Sequence, residues 1–578
     1  MLLQRIGNRG IHLGMLFERA AARHGANVLI LDHDLDVAPE LGRRATVAEV
    51  ADLVDDLASR LWAAGVRPAR RVVVYKADGF DITLLACAAA RIGAVPVLLS
   101  PQLDGATVAE LVRRTDRPYL VTDQEKLENV LPGTVFELAG RVVLTSGSYR
   151  DAVELRSLAG VERVAPVVMP ADHPTLITHT SGTTGTPKLA VHTGFSLQSR
   201  YRPQASVIAP LVRRRETIAI HVSFVHSRLI TALAISLYRG FPLVLLRGSD
   251  PKAIGDLFAR LKPGILEAHP NSFMEWEELA EDPRGPLSNV KLFSSTFDAI
   301  HPRTVHRLLR ATKRRAPVFG QLYGQSEVGP AIVRGFSRRR TLDDDGRCVG
   351  MPFPGMTDVR VVSRNGRPPS PQNPGFIEVR SDGRIVTYLG EQERYDAQVS
   401  ADGWWRMGDV GYRTRWGCVH LLDREVDLIE GFGSTLAVED TLFGRLPGLA
   451  EVIIIPGTDG RVVPVVCTKD DAPLDLAAWR RATASLPPMA EPVHRRLADL
   501  PRTATTKIKR LELARLLLAA EPVDDTQQDT QHDTQHDARH DTQHDARHDT
   551  QHDARQDAQH DAQDDGSDHA SDAEGGQP

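Results

Sequence analysis

Runs of buried-strand character alternate with amphipathic helical runs along most of this chain, and that alternation limits the fold more than any other feature. Ala45–Ala64 places apolar residues at helical spacing. Arg71–Lys76 (RVVVYK) is an apolar run bounded by charge, which suits a buried strand. Phe80–Ile92 returns to helix and Ala94–Leu99 (AVPVLL) to strand; strand patterns recur at Pro242–Leu246, Val290–Ser294 and Val318–Leu322. Strands separated by helices are joined by crossovers, so the expected class is α/β, with largely parallel sheets flanked by helices. After Asp423 the elements shorten. Strands are expected over Glu451–Pro456 and Arg461–Lys469, helices over Leu474–Ser485 and Leu511–Ala520. The expected organisation is a large N-terminal domain over 1–422 and a small, mobile α/β C-terminal domain over 423–522. They would join in the charged stretch Asp423–Gly431.

Residues 523–578 have a different character. From Asp529 a four-residue unit, DTQH or DARH, repeats to about His552, and from Asp524 the tail holds 16 acidic residues and 3 arginines. It has almost no apolar side chains to offset the entropy of ordering, so disorder is expected. A period of four would stack histidines along one helical stripe able to hold a metal; the alternative is a solvated spacer. Residues 1–523 carry 67 basic against 59 acidic residues, a weak bias toward an anionic ligand. No Lys/Arg block with interleaved aromatics points to nucleic acid. The four cysteines are widely spaced without a CxxC pair, which argues for reduced core thiols. The N-terminus lacks a signal-peptide core, and Leu229–Leu246 is interrupted by Arg239, Gly240 and Pro242. No membrane span is expected, and the cytoplasm is the expected compartment.

Chemistry concentrates in Thr178-His179-Thr180-Ser181-Gly182-Thr183-Thr184-Gly185-Thr186-Pro187-Lys188, directly after the strand-like Thr175–Thr178. Glycines let backbone N–H groups approach phosphate oxygens, hydroxyls donate hydrogen bonds and the lysine adds charge. The lysine stands out in a chain with 10 lysines and 60 arginines. This is no Walker A loop, because Pro187 precedes Lys188 and Leu189 follows it.

The string closely resembles the phosphate-binding signature of the adenylate-forming superfamily, which includes acyl-CoA synthetases, peptide-synthetase adenylation domains and firefly luciferase. The resemblance runs over about residues 10–520 and is nearest to acyl-CoA ligases. It implies that Thr180, Ser181, Gly182, Thr183, Thr184, Gly185 and Lys188 hold the phosphates of ATP. Four later segments fall in the family's order. Tyr323-Gly324-Gln325-Ser326-Glu327 resembles its YGxTE signature, which implies Tyr323 and Gly324 against adenine, Ser326 on the α-phosphate and Glu327 on Mg²⁺. A carboxylate is a hard oxygen ligand suited to that ion. Trp405–Gly411 implies Asp409 on the ribose hydroxyls, since one carboxylate offers two acceptor oxygens. Asp423–Ile429 resembles the interdomain hinge, with Arg424 as the nucleotide arginine. Pro501–Arg510 resembles the C-terminal signature and selects Lys507 over Lys509 as the catalytic lysine.

Departures are equally visible. Leu189 and Thr506 stand where the family has glycine, Asp423 replaces a hinge glycine, and Val426 occupies the pivot, with Asp427 beside it. Ser295–Ala299 replaces a Gly-Gly-Ala turn. His226, in Ser223–Ser227, falls where acid-activating relatives face the reacting acid, and a core histidine is the competing reading. No acid accompanies it, which disfavours an α-amino acid substrate.

These features predict an AMP-forming acid–thiol ligase with Lys507, Glu327, Thr184 and His226 in the catalytic set. A small-molecule carboxylic acid would become acyl-AMP and pass to a thiol, first coenzyme A, then the phosphopantetheine of an acyl carrier protein. Passage of the adenylate to another nucleophile is a further option. A non-catalytic nucleotide-binding relative is the rival from another class.

Overall fold

A computed structural model describes residues 10–180, 186–339, 345–429, 431–457, 461–502 and 508–519. The sequence-expected Ser181–Gly185, Thr506, Lys507 and the 523–578 tail lie outside these.

Mixed α/β architecture is observed, with large sheets flanked by helices. One sheet has 13 strands, a second has 8 and a third has 3. In the second, Pro174–His179, Val95–Leu98, Arg71–Val74, Tyr119–Thr122, Arg141–Leu144 and Val153–Glu154 run parallel. Their apolar runs are buried on both faces, as parallel strands under helices require. The helix Val47–Ala63 opens with a capping box. The Thr46 N–H donates to Glu49 Oε2 at 2.7 Å and the Glu49 N–H returns to Thr46 Oγ1 at 3.2 Å.

The parallel expectation holds in only half of the 13-stranded sheet. Val28–Leu31, Leu243–Leu245, Ile218–His221, Ile265–Ala268, Leu292–Ser295 and Val318–Gln325 run parallel. From Gly329–Phe336 onward the pairing is antiparallel through Cys348–Pro352, Val419–Arg424, Trp405–Arg413, Gly375–Ser381 and Thr357–Val362. Among the described residues one short helix, Gln392–Asp396, falls in the connections there, and no described helix makes a crossover that would force neighbouring strands parallel.

The interrupted apolar stretch is resolved as a helix and a strand. Ser227–Arg239 is buried along nearly its whole length, and Gly240 ends it at φ 66°. Leu243–Leu245 then enters the 13-stranded sheet. The later residues supply the three-stranded sheet, Leu449–Pro456, Val462–Thr468 and Val493–His494, with helices Thr435–Arg445, Leu476–Thr483 and Arg510–Ala519. No described helix is long and apolar enough to cross a membrane.

Candidate active site

The hydroxyl-rich segment joins the antiparallel strands Pro174–His179 and Leu189–Thr193. Its ends are pinned together: the Thr180 N–H donates to the Lys188 carbonyl at 2.9 Å, and the Lys188 N–H donates to Thr180 Oγ1 at 3.2 Å. The short strand Thr387–Tyr388 pairs with Leu189–Thr193 and brings a tyrosine over the lysine. Lys188 Nζ donates to the Tyr388 hydroxyl at 3.2 Å, and that hydroxyl donates to Glu327 Oε1 at 2.6 Å. Burial lowers the pKa of the Lys188 ammonium, and the Glu327 carboxylate works against that. Burial, then Glu327, raises the Tyr388 hydroxyl far above its ordinary value, so it is a neutral donor.

Ser326 and Glu327 lie in the tight connection between Val318–Gln325 and Gly329–Phe336. Two glycines make it possible. A Cβ on Gly324 would come 2.0 Å from the Gly329 carbonyl oxygen, and Gly329 itself has φ +72°. Arg200, 3% exposed, clamps the turn from behind. Its Nη2 donates to the carbonyls of Ser326 and Glu327, both at 2.9 Å, its Nε to the Gly383 carbonyl at 2.6 Å and its Nη1 to Ser227 Oγ at 3.0 Å.

His226 caps the helix Ser227–Arg239: its Nδ1 accepts the Arg228 N–H at 3.0 Å. That bond leaves Nε2 as the protonated nitrogen, 3.3 Å from Ser326 Oγ. Burial, followed by the nearby Arg200, pushes the imidazole down to about 3, so it is neutral at ordinary pH. Thr180, Lys188, His226, Gly324, Ser326, Glu327 and Arg424 all line one cavity of about 240 Å³.

An adjoining cavity of about 370 Å³ collects Tyr323, Gly324, Asp409 and Arg424. Asp409 and Arg424 are cross-strand partners, with Arg424 Nε 3.4 Å from Asp409 Oδ1. The Tyr323 hydroxyl donates to Asp409 Oδ2 at 2.5 Å. Burial, then Asp409, keeps that phenol protonated. An aromatic face thus stands beside a carboxylate with two oxygens and a guanidinium, which suits a base and its ribose. Among the described residues no group of three or more side chains forms a metal cage. A single carboxylate such as Glu327 suits an ion that arrives on a polyphosphate.

The sequence departures acquire physical reasons. Leu189 is fully buried in the core beneath the 8-stranded sheet, so it packs where a glycine would leave a hole. Asp423 is buried and accepts from the Thr435 N–H and hydroxyl. Val426 is 56% exposed and lines both cavities. Phe297, in the Ser295–Ala299 replacement, has φ 83°, a conformation that costs a non-glycine residue about 1–3 kcal/mol. Its ring centre lies 4.7 Å from that of His226 and 4.4 Å from that of His269, and it lines both cavities. Tyr388, Arg200, Phe297 and Arg228 were not anticipated as site residues. The replacement of a Gly-Gly-Ala turn by Ser295–Ala299 was the only signal for any of them. Arg228 meets Glu267 with Nε 2.5 Å from Oε1. Burial lowers the one and raises the other, and each one's charge opposes that change.

A family model described as AMP-binding enzyme matches residues 17–389. The 3-amino-2-hydroxy-4-methoxybenzoate diazotase of Streptomyces cremeus is 49% identical over 549 residues, covering 90% of this chain and 99% of that protein. A salicylyl-CoA synthase / salicylate adenylyltransferase of a Streptomyces species is 25% identical, covering 88% and 93%. Among solved structures, an anthranilate CoA ligase in complex with anthranoyl-AMP superposes with a TM-score of 0.74 at 19% identity, covering 88% of this chain and 98% of that one.

Proposed function

The chain belongs to the family of AMP-binding enzymes, which form adenylates, and on that premise we propose that it activates nitrite with Mg·ATP and diazotises an aminoaryl carboxylate. The observation that carries this reading is the 49% identity to a benzoate diazotase across 99% of that protein's length. Adenylation suits the task. Nitrite is a poor electrophile because its leaving group would be oxide, as with a carboxylate, and AMP is a far better one.

The steps balance. A nitrite oxygen attacks the α-phosphorus and pyrophosphate leaves. The aryl amine attacks the nitrite nitrogen, the N–O bond to phosphorus breaks, and AMP departs with that oxygen and a proton is released. The N-nitrosoamine tautomerises to the diazohydroxide, which takes up a proton and loses water to leave the diazonium.

Displacement at phosphorus needs positioning and charge neutralisation more than covalent help. Lys188, the loop residues Thr180–Gly185 and Ser326 are suited to the phosphates, and Glu327 to the magnesium on them. Tyr323, Gly324, Asp409 and Arg424 suit the nucleoside. Neutral His226 can donate from Nε2 toward the reacting oxyanion without consuming a proton. Residues 423–522 would turn about Asp423–Asp427 to bring Lys507 in for adenylation and remove it afterwards.

The test is product analysis with the full chain, Mg·ATP, nitrite and 3-amino-2-hydroxybenzoate. The expected result is one diazo product per AMP and pyrophosphate, with both dependent on nitrite. The salicylyl-CoA relative favours a second reading, an aryl-acid CoA ligase. Thioester formation with CoA and no need for nitrite would establish that reading instead, and ADP as product would exclude adenylation.

A further inference from the structure

Two buried arginines line the smaller cavity, and they are committed very differently. Arg200 spends Nε, Nη1 and Nη2 on three carbonyls and a hydroxyl of the protein. Arg228 is 5% exposed and is paired with Glu267. Nε is taken by Glu267 Oε1, while Nη1 of Arg228 has no hydrogen-bond partner among the described residues. A buried guanidinium with an idle donor is costly and calls for a partner. Arg228 borders the cavity two residues beyond His226, so a ligand can supply one.

We propose that Arg228 is the specificity residue that takes the ring carboxylate of the aminoaryl substrate, so that the amine faces the activated group. This rests on the diazotase reading. If nitrite is adenylated, the substrate's own carboxylate is not the group that reacts and must be held elsewhere. A planar guanidinium matches a carboxylate with two parallel N–H···O bonds. Glu267, set on the central strand Ile265–Ala268, fixes that guanidinium and balances its charge when no substrate is present. Phe297 and His226, in edge-to-face contact with each other, form an aromatic wall of the smaller cavity against which a single ring can pack. An acid activated through its carboxylate would bind the other way round, with that group toward Lys188, and would leave Arg228 unused.

The test compares 3-amino-2-hydroxybenzoate with 2-aminophenol, the same ring without the carboxylate. Nitrite-dependent diazo formation is measured for wild type, Arg228→Met and Arg228→Lys, with melting temperature and ATP binding recorded for each. Wild type should prefer the acid. In Arg228→Met the ratio of kcat/KM for acid over aminophenol should fall about 10²-fold, chiefly through KM, as when one partner of a buried charge pair is removed. Arg228→Lys keeps the charge without the two-pronged geometry and should lose about tenfold of that ratio. It carries the test if the methionine variant does not fold. An unchanged ratio in a folded variant overturns the assignment while leaving the diazotase reading intact. A wild type that makes no diazo product, and joins the acid to CoA instead, overturns both.

Discussion

Lys188 Nζ sits 3.2 Å from the Tyr388 hydroxyl and 4.6 Å from the centre of its ring. The tyrosine stands between the ammonium and Glu327, so the two charges are linked without closing on each other. Each remains able to meet a polyphosphate or its magnesium. Tyr388→Phe removes one buried donor and acceptor, worth about 1 kcal/mol or somewhat more. We expect adenylation to fall about tenfold, with the larger change in KM for ATP. Pyrophosphate release under varied ATP measures this, and wild-type kinetics in the variant would show that the relay is idle.

Asp423 gives a pH signature. Burial pushes its carboxyl from an ordinary 3.8 up to about 7. Between those values the folded chain keeps a proton that the unfolded chain has released. The stabilisation from Asp423 is therefore full below about pH 4 and is lost as pH rises through about 7. Glu451, pushed up to about 7 by burial and then by Glu439, acts in the same direction. Asp423→Asn should cost most at acidic pH relative to wild type, with the gap closing or reversing by pH 8. Urea midpoints at pH 4.5, 6 and 8 decide it, and a gap that widens with pH contradicts the assignment.

How far the sequence could be read follows from how far apart the partners lie. Thr180, Lys188, Tyr323, Gly324, Ser326, Glu327, Asp409 and Arg424 stand in short strings that resemble the family's signatures. The structure places all of them around two adjoining cavities. Tyr388 and Arg200 were illegible. Tyr388 is 200 residues from Lys188, and Arg200 is 126 from the nearer of the carbonyls it holds in the Ser326–Glu327 turn. An isolated arginine in a helical pattern reads as part of a polar face. Arg228 and Glu267 likewise meet only because a helix start lands on a central strand. The antiparallel half of the large sheet was missed because alternation of element types carries no information about strand direction where strands follow one another without a helical crossover.

Arg200 should matter for folding before it matters for chemistry. Arg200→Met leaves three carbonyls and a hydroxyl without their donor, and each unsatisfied buried acceptor costs about 1–3 kcal/mol before relaxation. We expect a net loss of about 3 kcal/mol or more, seen as a lower urea midpoint. A loss under about 1 kcal/mol would mean that the turn holds itself.

The C-terminal signature makes a prediction about register. Lys509 is held 2.9 Å from Glu512 on the helix Arg510–Ala519, whereas Lys507 lies outside the described residues. Lys507→Ala should lower adenylation about 10²–10³-fold, the usual range for removing one preorganised contact to developing charge. Lys509→Ala should stay near wild type. Pyrophosphate exchange on both variants measures the difference, and the opposite pattern shifts the catalytic lysine by two residues.

The central claim is that the oxyanion joined to AMP is nitrite and not the carboxylate of the aryl substrate. Oxygen labelling tests it directly. With ¹⁸O-nitrite and unlabelled 3-amino-2-hydroxybenzoate, the AMP released in a single turnover should carry one ¹⁸O, retained when the N–O bond breaks. With the label in the ring carboxylate instead, the AMP should carry none. Label passing from the carboxylate to AMP, with none from nitrite, would contradict the account.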